Sequence, residues 1–410
     1  MITLQFGQYG NQIMPEILKR CHNFNLHSET NFSTLFRESP KAQTLVPRSL
    51  LIDMEPKVIH SACLNNQKLP FTYLPQQAIF NQSGSGNNWA HGFAFHGPKI
   101  ATIFTEKLRK ELEHADTSVT FFSASSLAGG TGSGLGSFLL NQIAQEHPKN
   151  DIFSHAILPF RVGEVNTQNF NALLSLSTIQ EVSHSVLLLG NDEAAEAIRK
   201  EKGVKTRPNF DVLNEVISHN IGGILAGVEK EIFSCSKSPF MNILCAKTTP
   251  TVPIQATERK IFNIAKYIRQ MCISGASCDS QMEWKVQNEI KNYGSLVVMR
   301  GKGCYEYING DFGAILKNEV SSYSESYKML RSTCQGQMKG FQYSWLGGPM
   351  GSALLNCGIF NDQITEICDD VVRKLSVGAY MHLYEKFGVG KEVLQQCVQQ
   401  MRQVVYDYSG

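Results

Sequence analysis

One segment constrains the fold more than any other: an apolar strand runs into a glycine-rich loop and then into an amphipathic helix. It reads SVTFFSASSLAGGTGSGLGSFLLNQIAQE from Ser118, and we predict that the helix begins near Gly132. A helix N-terminus presents unpaired N–H groups, and glycines let a phosphate approach the backbone without a Cβ in the way. The segment therefore predicts a phosphate-binding loop. A glycine-rich turn needed only for tight packing is the alternative.

This loop departs from two common phosphate-binding motifs. The chain contains no Gly-Lys-Ser/Thr, which argues against a P-loop. The third glycine of the pattern Gly-x-Gly-x-x-Gly falls on Ser137, which argues against a dinucleotide-binding loop.

The first half of the chain alternates short apolar runs with helical patterns, which is typical of a parallel sheet wound with helices. Its predicted strands are residues 2–6, 49–53, 118–125, 152–158 and 185–189. Open parallel sheets bind ligands at the carboxyl ends of their strands. We therefore expect the binding residues in the loops that follow these strands.

A second block begins near Asn242 and indicates a smaller mixed α/β domain. Its predicted strands are residues 243–247, 295–301, 341–347 and 352–358, with a helix at about 258–274. Residues 361–408 predict two helices broken at 387–390. We assign 1–210 to a ligand-binding domain, 211–240 to a core helix and connecting segment, 241–359 to an intermediate domain and 360–410 to a C-terminal helical region.

The last predicted helix repeats apolar residues at helical spacing, at Val393, Cys397, Met401, Val404 and Val405. Such a stripe packs on its own domain or binds a partner, and the pattern alone leaves both open.

Composition excludes several classes of protein. The 410 residues are 42% apolar and 18% charged, enough to bury more than one core, and 38 Lys and Arg nearly cancel 36 Asp and Glu. The near-zero net charge therefore gives the chain no overall electrostatic attraction to nucleic acid or to an anionic membrane. Eleven cysteines without a CxxC pair argue for free thiols in a reducing compartment. No apolar run approaches the roughly 18 residues of a membrane span, so we expect a cytosolic or nuclear protein.

Several motifs resemble those of the tubulin superfamily. AGGTGSG at residues 128–134 and GQYGNQI at 7–13 match two nucleotide loops of tubulins, and IDMEPKVI from Ile52 and GSGNNWAHGFAFHGP from Gly84 follow two more. The last two resemble the delta members of the family most, and AYMHLYEKFG from Ala379 is similar to the family's aromatic-His segment. The resemblance implies a tubulin/FtsZ-like α/β fold with a doubly wound parallel-sheet GTP-binding domain.

The resemblance also implies GTP or GDP with Mg²⁺ as cofactors. Gln8 offers an amide to phosphate or to a magnesium-bound water, Glu55 is a hard oxygen ligand for the Mg²⁺ water shell, and Asp53 assists. Asn87, after Ser85 and Gly86, matches the loop that senses the terminal phosphate; alternatively its side chain closes its own turn. Further nucleotide contacts implied by the family are Gly7, Tyr9, Gln12, Ser126, Ala128, Gly129, Gly130, Thr131, Gly132, Ser133 and Gly134.

Asn191 and Asn214 match the family's guanine-reading pair, since an amide offers a donor and an acceptor together. Either could instead be a cap or turn residue. Phe210 stands where the family usually has tyrosine and could stack on the purine. Two further departures are Tyr9, in place of a cysteine, and Gln168, where a family glutamate meets the ribose.

The function implied by the resemblance is a GTP-binding subunit that assembles or stabilises the triplet microtubules of centrioles and basal bodies, and so serves cilium formation. Its partners would be alpha/beta-tubulin, an epsilon-type tubulin and centriolar proteins, in the cytoplasm and cytoskeleton. Another divergent tubulin or an FtsZ-like GTPase is the alternative. A nucleotide-dependent metabolic enzyme is a third hypothesis, but no acid, base or nucleophile constellation supports it.

GTPase activity is expected to be weak and completed by a neighbouring subunit. The family places a catalytic acid in the stretch after Asn214, which is shorter here. Glu229 and Glu231 are the weak candidates in it, or else solvated charges on a helix end.

Overall fold

One large sheet organises the chain. The computed structural model describes residues 1–26, 34–39, 44–115, 118–163, 165–202, 206–226, 242–249, 292–301, 337–341 and 350–409. The strands within these ranges are β1 (Ile2–Phe6), β2 (Phe36–Ser39), β3 (Thr44–Pro47), β4 (Ser49–Asp53), β5 (Ala78–Phe80), β6 (Phe121–Ser126), β7 (Ile152–Leu158), β8 (Ser185–Gly190), β9 (Ile243–Thr249), β10 (Asn292–Arg300), β11 (Gln337–Phe341) and β12 (Met350–Cys357).

Helices connect most of these strands. They are α1 (Gly7–Leu26), α2 (Pro56–Ile59), α3 (Trp89–His91), α4 (Gly97–Leu112), α5 (Gly136–Glu146), α6 (Gln168–Val182), α7 (Asn191–Lys202), α8 (Phe210–Leu225), α9 (Asn361–Ser376), α10 (Met381–Glu385) and α11 (Lys391–Ser409). Turns of π-helix extend α2 and α3 and precede α5, at His60–Leu64, Gly92–His96 and Thr131–Leu135. None of the helices in these ranges has both the length and the apolar character needed to cross a membrane.

Ten strands form the main sheet in the order β11-β10-β12-β9-β8-β7-β6-β1-β4-β5, while β2 and β3 pair separately. All neighbours from β9 to β5 are parallel, and β12 runs antiparallel to β9 and β10. The predicted strands of the first half are confirmed; β6 begins at Phe121 rather than at residue 118. The expected α/β fold with a doubly wound parallel sheet is confirmed.

Buried apolar residues lie on both faces of the sheet. Successive strand residues point to opposite faces, so Phe121 packs in the core that contains Phe104 of α4, whereas Phe122 packs in the core that contains Ile17 of α1 and Ile217 of α8. Strands that are buried on both faces have apolar residues at successive positions, which explains why the sequence predicted them.

The sheet continues across the predicted boundary between the ligand-binding and intermediate domains. β8 and β9 join through two register pairs, Val186 with Ile243 and Leu187 with Leu244. The four domain limits stay predictions. The helix expected at 258–274 and the strand residues 342–347 lie outside the described residues.

The C-terminal region has one break more than predicted. Besides the expected interruption at 387–390, the chain breaks between α9 and α10, where Gly378 and Tyr380 adopt left-handed backbone conformations. α11 buries one face within the chain, against α9 and α6; this face is formed by Leu394, Val398, Met401, Val404 and Tyr408. Val393, predicted in this stripe, is instead 38% exposed.

Candidate nucleotide site

Segments that follow four strands converge at the carboxyl edge of the parallel sheet. β1 and β4 are paired through Phe6 and Ile52, and β1 and β6 through Gln5 and Ala124, so their ends lie side by side. Residues 7–12, 54–55, 84–88 and 127–134 follow β1, β4, β5 and β6, and Asp53 is the last residue of β4. The predicted phosphate and metal residues therefore occupy one region of the molecule.

Two helical segments begin next to each other at this edge. α1 begins at Gly7, and the π-helical turn before α5 begins at Thr131. A Cβ added to Gly7 would lie 2.7 Å from the backbone nitrogen of Gly132, and the φ of Gly7 is +68°. Only glycine permits this contact and this conformation. Two sets of unpaired N–H groups are thereby placed together, as anion binding requires.

The glycines of the second loop have different functions. A Cβ on Gly130 would lie 2.7 Å from both the Asn88 nitrogen and the Ser85 Cβ, so Gly130 permits close packing of two loops. Gly129 has nothing within 4 Å of that position, so its side of the loop is open. Tight packing therefore explains Gly130, whereas the open side of Gly129 is compatible with phosphate binding, which stays a prediction.

Neighbouring residues stabilise this loop internally. The Ala128 N–H donates to Ser126 Oγ at 3.3 Å, Ser133 Oγ donates to the Gly129 carbonyl, and the Gly134 N–H donates to the Gly130 carbonyl at 2.9 Å.

The loop at 84–88 lies against the glycine-rich loop. Ser85 Oγ and Thr131 Oγ1 are 3.0 Å apart, within hydrogen-bonding distance. Gly86 and Asn87 have successive left-handed conformations, with φ of 58° and 50°. The backbone closes the turn, because the Asn88 N–H donates to the Ser85 carbonyl at 3.1 Å. The Asn87 side chain is exposed and is not needed for that turn.

Two carboxylates lie beside this loop. Asp53 ends β4 and is 4% exposed; its Oδ1 accepts from the Glu55 N–H at 3.2 Å, and its Oδ2 has no hydrogen-bond partner in the described part of the chain. Burial raises the pKa of Asp53 to about 6. Glu55 is exposed, and its Oε1 lies 3.2 Å from the Cβ position of Gly84. An unpaired buried carboxylate oxygen and a second carboxylate near a phosphate loop fit a hard cation. Among the described residues, no group of three or more His, Cys, Asp or Glu side chains is arranged so that it could hold a metal ion.

Tyr9 stands where the family usually has a cysteine, and a buried histidine connects it to the sheet. Its hydroxyl lies 2.6 Å from Nε2 of His155, whose Nδ1 lies 3.0 Å from the Leu187 carbonyl. A carbonyl only accepts, so Nδ1 carries the proton and Nε2 accepts from Tyr9. Burial lowers the pKa of His155 to about 4 and raises that of Tyr9. The pair is neutral and fixes the Tyr9 ring. His155 carries no motif and was not predicted as a site residue.

The other predicted residues of α1 differ in exposure. Gln8 is exposed in the first turn of the helix, and Gln12 is half-buried one turn later. Gln168 is buried and donates from Nε2 to the Phe160 carbonyl at 2.8 Å, which fixes the segment between β7 and α6.

The predicted base-reading residues lie on the other side of the phosphate loops from β4 and β5. Asn191 follows β8, which is two strands from β6. Asn214 is buried in α8, which packs on α1. Asn209 caps the N-terminus of α8, so Asn214 is not a capping residue. Asn191 starts α7, so a capping function stays open for it. Phe210 is 56% exposed.

Asn171 is a residue that sequence reasoning missed. It lies in α6 and is fully buried, and it bonds to both of the loops predicted to bind phosphate: its Nδ2 donates to the carbonyls of Asn87 and Ala128, each at 2.8 Å. An asparagine between two apolar residues, Phe170 and Ala172, in the segment NFNALLSL was the only signal for it. Glu229 and Glu231, the candidate catalytic acids, lie outside the described residues.

Comparison with known proteins agrees with this geometry. Residues 1–199 match the family described as "Tubulin/FtsZ family, GTPase domain". The chain is 26% identical to the tubulin delta chain of Macaca fascicularis, 25% to that of Mus musculus and 26% to that of Homo sapiens. Each comparison covers 100% of this chain and at least 98% of the relative. The predicted resemblance is confirmed: residues 1–199 match the Tubulin/FtsZ GTPase domain family, in a chain that is similar over its whole length to delta-tubulin chains.

Proposed function

We propose that this chain is a GTP-binding tubulin-type subunit whose association with other tubulins is gated by nucleotide, and that it acts in the assembly or stability of the triplet microtubules of centrioles and basal bodies. The observation that carries the proposal is the convergence of loops on one sheet edge. Gly7 touches Gly132, and Ser85 reaches Thr131. A bound phosphate chain would contact these loops together.

Residues on the two sides of this region suit different parts of the nucleotide. The paired helix starts and the open side of Gly129 suit the phosphates. Asp53 and Glu55 would hold Mg²⁺, which neutralises phosphate charge when it is bound. Asn191 and Asn214 would read the guanine edge, with Phe210 against its face. Asn87, exposed in a left-handed turn, would meet the terminal phosphate.

The proposed partners are alpha/beta-tubulin, an epsilon-type tubulin and centriolar proteins, and the proposed location is the cytoskeleton at centrioles, centrosomes or basal bodies. Similarity to delta-tubulin chains over the full length supports this choice. The balanced charge of the chain gives no support to nucleic acid or an anionic membrane as a partner.

The test is nucleotide content and exchange on the purified protein, followed by pull-down of alpha/beta-tubulin and localisation of a tagged chain. We expect GTP or GDP to copurify, Mg²⁺ to slow their release, and the tag to mark centrioles. Preference for NAD or a small metabolite would indicate an enzyme instead. GTP binding without centriolar location would indicate another divergent tubulin or an FtsZ-like GTPase.

A further inference from the structure

The Asn171 side chain uses its whole hydrogen-bonding capacity on three separate segments. Its Nδ2 donates to the Asn87 carbonyl and to the Ala128 carbonyl, and its Oδ1 accepts from the Trp89 N–H at 2.9 Å and from the Tyr384 hydroxyl at 2.7 Å. An amide has two donors and two accepting lone pairs, so all four are occupied. The loop at 84–88, the glycine-rich loop and α10 therefore meet at one side chain.

Tyr384 is the contribution of α10 to this contact. It is fully buried, its hydroxyl also lies 3.4 Å from the Thr167 carbonyl, and its ring packs 5.2 Å from that of Phe170. The short helix α10 lies between Tyr380 and Gly388, which have φ of 62° and 83°. Left-handed residues on both sides make α10 a separate unit that can shift without bending α9 or α11.

Two more contacts connect α10 and its C-terminal turn to the loop at 84–88 and the helix that follows it. Asn88 Nδ2 donates to the Leu383 carbonyl at 2.8 Å. The rings of His91 and Phe387 are stacked, with centroids 4.8 Å apart and an interplanar angle of 20°. A displacement of this loop therefore acts on α10 at three points.

We infer that Asn171 is a positioning residue of the nucleotide site, which fixes the spacing of the two phosphate-facing loops and couples them, through Tyr384, to α10. The inference rests on the proposed function, because it supposes that a terminal phosphate bears on the loop at 84–88. An effector that shifts one segment of a packed network changes the others, and the coupling is reciprocal. The exposed face of α10 and of the residue after it, which carries His382, Glu385 and Lys386, would then differ between the GTP and GDP forms.

A purely structural amide would stabilise the fold without affecting the choice between nucleotides. Asn171→Asp separates the two functions, because it keeps the acceptors for Trp89 and Tyr384 but replaces the donor to Asn87 and Ala128 by a second acceptor. Asn169→Ala is the matched control: it lies in the same helix and donates to Asp370 of α9 at 2.7 Å. Tyr384→Phe removes only the hydroxyl by which α10 reaches Asn171.

The experiment measures the affinities for GTP and GDP, the melting temperature, and hydrogen exchange at 381–388 in the full-length protein. We expect Asn171→Asp to weaken GTP binding about tenfold or more, and GDP binding less, from the loss of two hydrogen bonds. Asn169→Ala should retain both affinities. In the unchanged protein, exchange at 381–388 should differ between GTP and GDP, and Tyr384→Phe should remove that difference while it still binds GTP.

The inference is overturned if Asn171→Asp and Asn169→Ala bind GTP with equal affinity. It is also overturned if hydrogen exchange at 381–388 in the unchanged protein is the same with GTP and GDP. Either result leaves the proposed function standing. Absence of GTP binding by the unchanged protein would overturn both. If Asn171→Asp does not fold, Tyr384→Phe decides: exchange that still follows the nucleotide in this variant contradicts the coupling.

Discussion

Asp53 combines a buried position, an oxygen without a partner and a raised pKa. Its pKa in the folded chain is about 6, above its ordinary value, because burial penalises the carboxylate. The folded state thus binds the proton more tightly than the unfolded state. The stabilising effect of the protonated form is complete at low pH and is lost as the pH rises through about 6. A cation beside Oδ2 would offset this loss.

Asp53→Asn should therefore have opposite effects on stability and on ligand binding. Without ligand at pH 8 we expect the free energy of unfolding to rise by about 1 to 3 kcal/mol, with no gain below about pH 4. The Mg²⁺ dependence of GTP affinity should weaken. Denaturant unfolding at both pH values and GTP titration with and without Mg²⁺ measure this. Glu55→Gln, an exposed carboxylate beside it, should weaken the Mg²⁺ response with little change in stability; a pH-independent gain for Asp53→Asn contradicts the argument.

The Tyr9–His155 pair gives a second prediction. Tyr9→Phe leaves Nε2 of His155 buried without a donor, so we expect a loss of about 1 to 2 kcal/mol in denaturant unfolding at pH 7.5. Tyr406→Phe, at a tyrosine that is 70% exposed, is the control and should change nothing. The depressed pKa of His155 means that stability is present above the ordinary histidine pKa and is lost as the pH falls through about 4. His155→Gln should reduce the dependence of the free energy of unfolding on pH in this range. An unchanged dependence would show that other groups cause it.

We predict that selectivity for guanine depends on Asn191 and Asn214. Replacing either by Leu leaves a buried base edge unpaired, which costs about 1 to 3 kcal/mol, or roughly tenfold to a hundredfold in GTP affinity. Competition between GTP and ATP measures the effect. Asn209→Ala, which removes the cap of α8 without touching the base, should lower stability but not selectivity. Equal binding of ATP and GTP by the unchanged protein would end the assignment.

At the scale of elements, local patterns predicted what depends on local chemistry. The strand, glycine loop and helix were readable because apolar periodicity and glycine spacing are properties of neighbouring residues. The functions of Asn171 and His155 were not, because their partners lie on segments far away in sequence. The break between α9 and α10 was missed because Tyr380, which is not a glycine, adopts a left-handed conformation there; Gly378 was the local signal for it.

Gly129 and Gly130 test how the phosphate loop is built. We expect Gly129→Val to lower GTP affinity at least tenfold with little change in melting temperature, since its side chain enters the open region of the loop. Gly130→Val should lower both, because its side chain meets Asn88 and Ser85. Fluorescent-nucleotide binding and thermal unfolding of the two variants form a matched pair. Normal GTP binding by both would place the phosphates elsewhere.

At the scale of the whole molecule, one sheet connects the proposed nucleotide edge with the second half of the chain. β9 continues the sheet from β8, and the Tyr408 hydroxyl of α11 bonds the backbone of Ile243 and the Asn356 side chain, which joins β9, β12 and the C-terminal helices. The residues that connect α8 to β9 carry the candidate acids, and the family resemblance implies that such an acid serves the nucleotide of a neighbouring subunit. We therefore predict that any hydrolysis requires an assembly of subunits.

We accordingly expect the isolated protein to hydrolyse GTP slowly or not at all, and turnover to depend on a neighbouring subunit. General-base assistance contributes typically about 10²- to 10⁴-fold, and it is lost from a neighbour when this subunit holds no acid firmly against it. Glu229 and Glu231, which follow Glu215 in the sequence, are the carboxylates to test; Glu215 is exposed on α8 and serves as the control.

Single-turnover hydrolysis is measured with and without alpha/beta-tubulin for the unchanged protein and for Glu229→Ala, Glu231→Ala and Glu215→Ala. Slow hydrolysis in the mixture, unaffected by all three changes, indicates a subunit that acts as a stable cap or bridge; stimulated hydrolysis that falls in Glu229→Ala or Glu231→Ala but not in Glu215→Ala identifies the acid. Fast hydrolysis by the protein alone, insensitive to the first two changes, contradicts the prediction.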